Sequence, residues 1–244
     1  MNIPLIRPAS LPGAPDRVSV PAPPSPPAID YPQALARREL ALACGSELPR
    51  YLLFPEIHAL LRYLPDLRQQ FLFRTLWNTG ARLNEALALR RGDFCLDAGT
   101  PFVKLRTLKQ RNRGAGRRKQ GDTGIRTVPL TDHHYVRAVQ EFLATFDMTR
   151  NDDLLWTLKS DNTPRNWLNA ALARAERDGV TFTVDPITPH TFRHSFCMHL
   201  LLSGVPIKLV QKYAGHARLE STEIYTQVFL LDAARHYPVN FTDL

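Results

Sequence analysis

Four polar side chains in the C-terminal part of this sequence, His190, Arg193, His216 and Tyr225, stand at intervals of 3, 23 and 9 residues. Each is of a type that acts on phosphate esters. A guanidinium is planar, permanently charged and matched to two oxygens at once. An imidazole exchanges protons near neutrality. A phenol is a nucleophile once its proton is taken, although its ordinary pKa of about 10 makes it a weak one at neutral pH. When phosphorus is attacked it becomes five-coordinate and its non-bridging oxygens gain charge. Fixed cations aimed at those oxygens stabilise that state more than the ground state. A cation, two imidazoles and a phenol brought to one spot would therefore suit phosphoryl transfer.

The elements that must position these groups are legible around them. Thr188-Pro189 is a favourable start for a helix. An apolar face follows in Phe192, Phe196, Leu200 and Leu201, and Ser203-Gly204 breaks it. His190 and Arg193 share one face of that helix. Pro206 stands where a second helix begins, Gly215 ends it, and His216 follows in a turn. A polar loop over 217–222 then leads to Tyr225. Upstream, helical spacing runs from Phe54 through Leu64 and from Leu67 through Leu76, with Pro65 between. Thr79-Gly80 breaks the second run. A third helix begins near Arg82 and makes Arg82 and Glu85 neighbours. Residues 102–108 and 125–130 read as strands. Further helices are predicted over 33–44, 133–146 and 164–178, and another starts at Val228 and frays after Pro238.

His-x-x-Arg, then Gly-His, then a tyrosine nine residues on resembles the second motif box of the tyrosine recombinases, the phage integrase family. TGARLNEALALRRGDF, residues 79–94, resembles the first box. The resemblance covers about residues 49–235. It implies a mainly α-helical fold with a small antiparallel β-sheet, the integrase-like catalytic fold of DNA breaking-and-rejoining enzymes. It implies site-specific recombination of double-stranded DNA through a covalent 3′-phosphotyrosyl intermediate that frees a 5′ hydroxyl. Tyr225 is the nucleophile in that reading, Arg82 and Arg193 clamp the phosphate, His190 is the acid/base histidine, His216 hydrogen-bonds the phosphate and Glu85 orients its neighbours. The family's lysine, on a hairpin between two strands, protonates the leaving oxygen. Lys109 best matches it, with Lys119 the rival and Lys104 a poorer one. The family works as a tetramer on paired sites and needs neither metal nor nucleotide. In agreement, no glycine-rich phosphate loop ending in Gly-Lys-Ser or Gly-Lys-Thr occurs here.

Charge and composition point the same way. The net charge of +8 suits a polyanionic partner, most simply nucleic acid. From Lys104 to Arg126 there are nine basic residues and one acid. Lys104, Arg106, Arg111, Arg113, Arg117, Arg118, Lys119 and Arg126 are therefore expected to contact DNA phosphates from a long hairpin. Three scattered cysteines argue for a reducing cytoplasm rather than a disulfide framework. No apolar run reaches membrane-spanning length, and no secretory leader is evident. A bacterial cytoplasmic protein, associated with nucleoid or plasmid, is expected.

Residues 1–32 hold ten of the twenty prolines. Residues 1–48 are therefore expected to form a Pro-rich arm with a short helix, and 49–244 the catalytic domain with its tail. Such an arm cannot supply the helical core-binding domain that most family members carry. Weaker DNA binding, or help from an accessory DNA-binding protein, follows. The tail after Tyr225 is expected to dock on a neighbouring subunit or on its own domain. Two rival readings are a non-catalytic helix-turn-helix regulator built on residues 200–215 and a nicking-closing enzyme of the type IB topoisomerase kind. His190, His194, Cys197 and His199 tempt as a metal cluster, but one helix cannot turn all four together. His194 and His199 are expected to be structural and Cys197 to lie in the core.

Overall fold

The computed structural model describes residues 28–45, 47–107, 124–158 and 160–229. Its helices are α1 (Tyr31–Ala43), α2 (Phe54–Leu61), α3 (Leu67–Thr79), α4 (Leu83–Leu87), α5 (His133–Thr145), α6 (Asn162–Arg177), α7 (Pro189–Leu202), α8 (Ile207–Ala214) and α9 (Glu220–Glu223). Strands β1 (Phe94–Cys95), β2 (Phe102–Arg106) and β3 (Ile125–Pro129) form one antiparallel sheet in that order. The architecture is thus mainly helical with a small antiparallel sheet, as the sequence led us to expect.

The core lies between α3 and α7, which pack along one another, with α5, α6 and the sheet around them. Phe71, Phe73, Leu76, Phe192 and Phe196 fill it. Phe73 and Phe192 meet at 5.1 Å between ring centroids, and Phe71 stacks on Phe142 at 4.0 Å. Burial of aromatic side chains of this size is the largest favourable term such a domain has. Asp66 caps α3 by accepting from the Gln69 N–H, and Asp132 caps α5 through the His134 N–H.

Strand β3 alternates strictly. Ile125 and Thr127 face out, while Arg126 and Val128 face in. Pairing of Lys104 with Thr127 and of Arg106 with Ile125 fixes the register against β2. Strand β1, only two residues long, has no run for periodicity to detect. Residues 217–222, expected to be a loop throughout, end in the first turn of α9, which passes directly into a 3-10 turn over Ile224–Phe229. Only that turn lies within the described part of the helix expected from Val228. Helix α1 packs against the same turn. It is held there by Arg38, whose buried guanidinium donates to both Glu56 carboxylate oxygens at 3.0 and 3.1 Å, to the Tyr51 carbonyl at 3.0 Å and to Thr183 at 2.7 Å.

Candidate active site

Helix α3 ends at Gly80 in the left-handed region, φ 59°. A side chain there would be strained, and its Cβ would run into the Phe196 ring of α7. Glycine therefore lets α3 and α7 approach until the Arg193 Nη1 donates to the Gly80 carbonyl at 2.6 Å. Arg193 is only 1% exposed, and its Nη2 is buried without a partner among the described residues. Burial and the nearby Arg82 charge push its pKa down to about 10. A charged group that gives up hydration without full pairing is costly. The arrangement is that of a cation prepared for an anion.

The chain turns after Gly80 and places Arg82 at the N-terminus of α4. Glu85, three residues on, accepts from the Arg82 backbone N–H at 2.9 Å and from its Nη1 at 2.8 Å. Arg126 reaches the same carboxylate from β3, with Nη2 on Oε2 at 2.7 Å, while its Nε donates to the Tyr213 carbonyl at 2.9 Å. Burial alone would raise the Glu85 carboxyl. The bonds from Arg126 and Arg82 outweigh it and hold the group below the usual carboxylate range. Glu85 is thus the anionic hub that fixes Arg82, whose own head is still 42% exposed. The Nη1 of Arg126 is a second buried donor of the site without a partner among the described residues.

Helix α8 ends at Gly215, again left-handed at φ 67°. A Cβ at that position would lie 2.8 Å from Arg126 Cδ. His216 follows and is oriented by a 2.9 Å bond between its Nδ1 and Thr222 Oγ1. Burial, then the positive charges of Arg193, Arg82 and Arg126, push its pKa down to about 4. His190 is lowered by burial of its ring and by Arg193 and Arg82. A cavity of about 370 Å³ is lined by Arg82, Glu85 and His190, together with Arg165 from α6. Two arginines and two imidazoles from α4, α7 and the α8 terminus thus converge where, among the described residues, Glu85 is the only carboxylate that acts on them. Both imidazoles are neutral near pH 7.

Tyr225 is 1% exposed. Its hydroxyl meets His194 Nδ1 at 2.6 Å and lies against the Cys197 thiol. Burial and Cys197 raise the phenol's pKa, and the Arg193 charge opposes them. The phenol therefore lies beside α7 against His194, the residue that follows Arg193 in sequence.

The structure brings Arg82, Glu85, His190, Arg193 and His216 together and sets Tyr225 against α7. Lys109, Arg111, Arg113, Arg117, Arg118 and Lys119 lie outside the described residues. Lys104 and Arg106 are exposed on β2, and Arg106 also pairs with Asp93 at 2.7 Å. The expectation for Arg126 needs correction. It is not a surface phosphate contact but a buried partner of Glu85, because the strand's alternation turns it inward beside Val128. The signal for this was in that alternation, which the basic run obscured. His199 is structural, against Trp77 at 4.9 Å, and Cys197 is core. His194, expected to be structural, touches the phenol instead. Among the described residues no three His, Cys, Asp or Glu side chains gather as metal ligands.

A fold and site of this kind define a DNA strand-breaking and rejoining enzyme, and relatives agree. The model of the phage integrase family matches residues 50–230. A "Resolvase" of Escherichia coli is 49% identical over 96% of this chain and 93% of its own length. A "Probable site-specific recombinase in afa region" of the same species is 45% identical over 95% and 91%. "Tyrosine recombinase XerA" of Thermococcus kodakarensis is 31% identical over 74% of this chain and 59% of its own. Among solved structures, Tn1549 transposon integrase in complex with transposon right end DNA superposes with a TM-score of 0.62 at 18% identity, over 77% of this chain and 65% of that one. XerA recombinase gives 0.58 at 23% identity, over 80% and 66%. The chain belongs to the phage integrase family and is a tyrosine-type site-specific recombinase.

Proposed function

We propose that the protein cuts and rejoins double-stranded DNA through a covalent 3′-phosphotyrosyl intermediate. The observation that carries this reading is the buried Nη2 of Arg193, which has no partner among the described residues and stands in a cluster of cations and neutral imidazoles that among those residues only Glu85 offsets. A phosphodiester supplies the missing charge. Arg193 and Arg82 hold its non-bridging oxygens, the second from an exposed position that DNA can reach. His216, fixed by Thr222, donates to the phosphate, and His190 moves protons. Tyr225 attacks phosphorus and displaces the 5′ oxygen, which takes its proton from Lys109. Because the bond energy is kept in the phosphotyrosine, rejoining needs no nucleotide.

The outcome we favour is resolution, the activity after which the Escherichia coli relatives at 49 and 50% identity are named. The enzyme would act as a tetramer on paired sites, with the basic segment between β2 and β3 along the DNA backbone and an accessory DNA-binding protein supplementing its grip. Residues 1–48 would serve as an arm to the catalytic domain that follows. Lys104 and Arg106, exposed on β2, suit backbone contacts. Incubation with fragmented DNA followed by denaturation should leave a protein–DNA adduct whose position maps the cleavage site. Tyr225→Phe should retain binding and give no adduct. An adduct formed by that variant would assign the nucleophile elsewhere.

A further inference from the structure

We propose that His194 is a further catalytic residue, which accepts the phenolic proton of Tyr225 as its oxygen bonds to phosphorus. The inference rests on Tyr225 being the nucleophile. A buried phenol attacks poorly unless something takes its proton, and of the groups already assigned to the phosphate His190 makes no bond to the hydroxyl among the described contacts. Arg82 and Arg193 are permanent cations and cannot accept a proton. The His216 Nδ1 is engaged by Thr222 at 2.9 Å. His194 alone among the described imidazoles bonds the hydroxyl, at 2.6 Å through Nδ1. Its ring stands edge-on to His190 at 4.4 Å between centroids, one helical turn away.

The other neighbour of the hydroxyl, the Cys197 thiol, is buried and its pKa is raised. As a thiol it is a weak acceptor. The charged and titratable groups acting on His194 are His190, Arg193 and His216, all of which disfavour its protonation, as burial does. It is therefore neutral near pH 7 and has a lone pair to offer. His194 and His190 also border a cavity of about 740 Å³ between α7, Tyr51 and α1. The imidazole thus connects the enclosed phenol with open space through which a proton can leave.

The Tyr225 O–H bond breaks and its proton passes to His194 Nδ1. The Tyr225 oxygen forms its bond to phosphorus while the bond to the 5′ oxygen breaks. That oxygen leaves with a proton from a separate acid. In rejoining, His194 returns the proton to the departing phenolate.

Two measurements test this. His194→Asn keeps a hydrogen-bonding group near the Nδ1 position but cannot hold the proton. Adduct formation in a single turnover should fall by about 10²–10⁴-fold. The defect should persist on a duplex carrying a 5′-bridging sulfur at the scissile phosphate, because that leaving group needs no acid. Unchanged cleavage by His194→Asn would overturn the proposal, and so would recovery on the sulfur-bridged duplex, which would place His194 on the leaving-group side. Should the variant not fold, nitrogen NMR on the unaltered chain decides the question. The proposal requires Nδ1 bare and Nε2 protonated, so a proton found on Nδ1 would refute it. Loss of the adduct with Tyr225→Phe is scored separately, so failure of the nucleophile assignment is distinguishable from failure of this one.

Discussion

At the scale of single residues, Glu85 holds the site's cations in place. It pairs with two guanidiniums, one of which, Arg126, is buried with it. Glu85→Gln leaves that buried cation unpaired and should destabilise the fold by about 3–5 kcal/mol, as breaking one side of a buried pair does. Denaturant unfolding would measure it. Arg193→Met has a different signature. It removes a cation that burial already penalises, so activity should suffer more than folding. Cleavage should drop by about 10²–10³-fold, the range for removing one charge-stabilising donor, as read in single-turnover adduct formation. His190, Arg193 and His216 stood out by their intervals, and Arg82 by the resemblance of residues 79–94 to the family's first box. His194 was not. A histidine one turn beyond His190 reads equally well as packing, and nothing local shows that residue 225 returns to meet it.

At the scale of elements, the site depends on two helices that end on left-handed glycines. Gly80 lets α3 close on α7, and Gly215 lets α8 close on Arg126 of β3. Gly80→Ala combines backbone strain with an overlap on the buried Phe196 ring, each worth about 1–3 kcal/mol. It should lower stability more than Gly215→Ala, whose Cβ meets a methylene of the Arg126 side chain rather than a rigid ring. Gly215→Ala should instead weaken cleavage out of proportion to stability, because it pushes on the residue that fixes Glu85. Melting temperature against adduct rate for the pair would show the contrast. Both glycines, and the helices before them, were legible as helix stops. The two-residue β1 and short α9 escaped because neither is long enough to show a period. The inward turn of Arg126 needed only the alternation of β3, but nine basic residues in one stretch drew the reading toward the surface.

At the scale of the whole molecule, four imidazoles, His190, His194, His199 and His216, have pKa values lowered in the fold. The unfolded chain therefore binds protons that the folded chain refuses. Stability should be full above about pH 6.5, the unfolded value. It should decline as pH falls from there toward the folded values, about 4 for His216 and about 3 for His194. Glu85, lowered as well, adds to the loss only below its own unfolded value of about 4.3. A DNA phosphate beside His190 and His216 would favour their charged forms. The melting temperature of the DNA complex should therefore fall less between pH 7 and 5 than that of the free protein, with uptake of protons on binding. Equal slopes would separate those imidazoles from the phosphate.

Helix α1 belongs to the same picture, since it lies on the turn that carries Tyr225 and is fastened by Arg38 to α2 and to Thr183. The turn that carries Tyr225, the latest described element, is thus packed on the earliest described helix. Synthesis from the N-terminus delivers Arg82, Arg126 and Arg193 before Tyr225, so the phenol is the last of these groups to leave the ribosome.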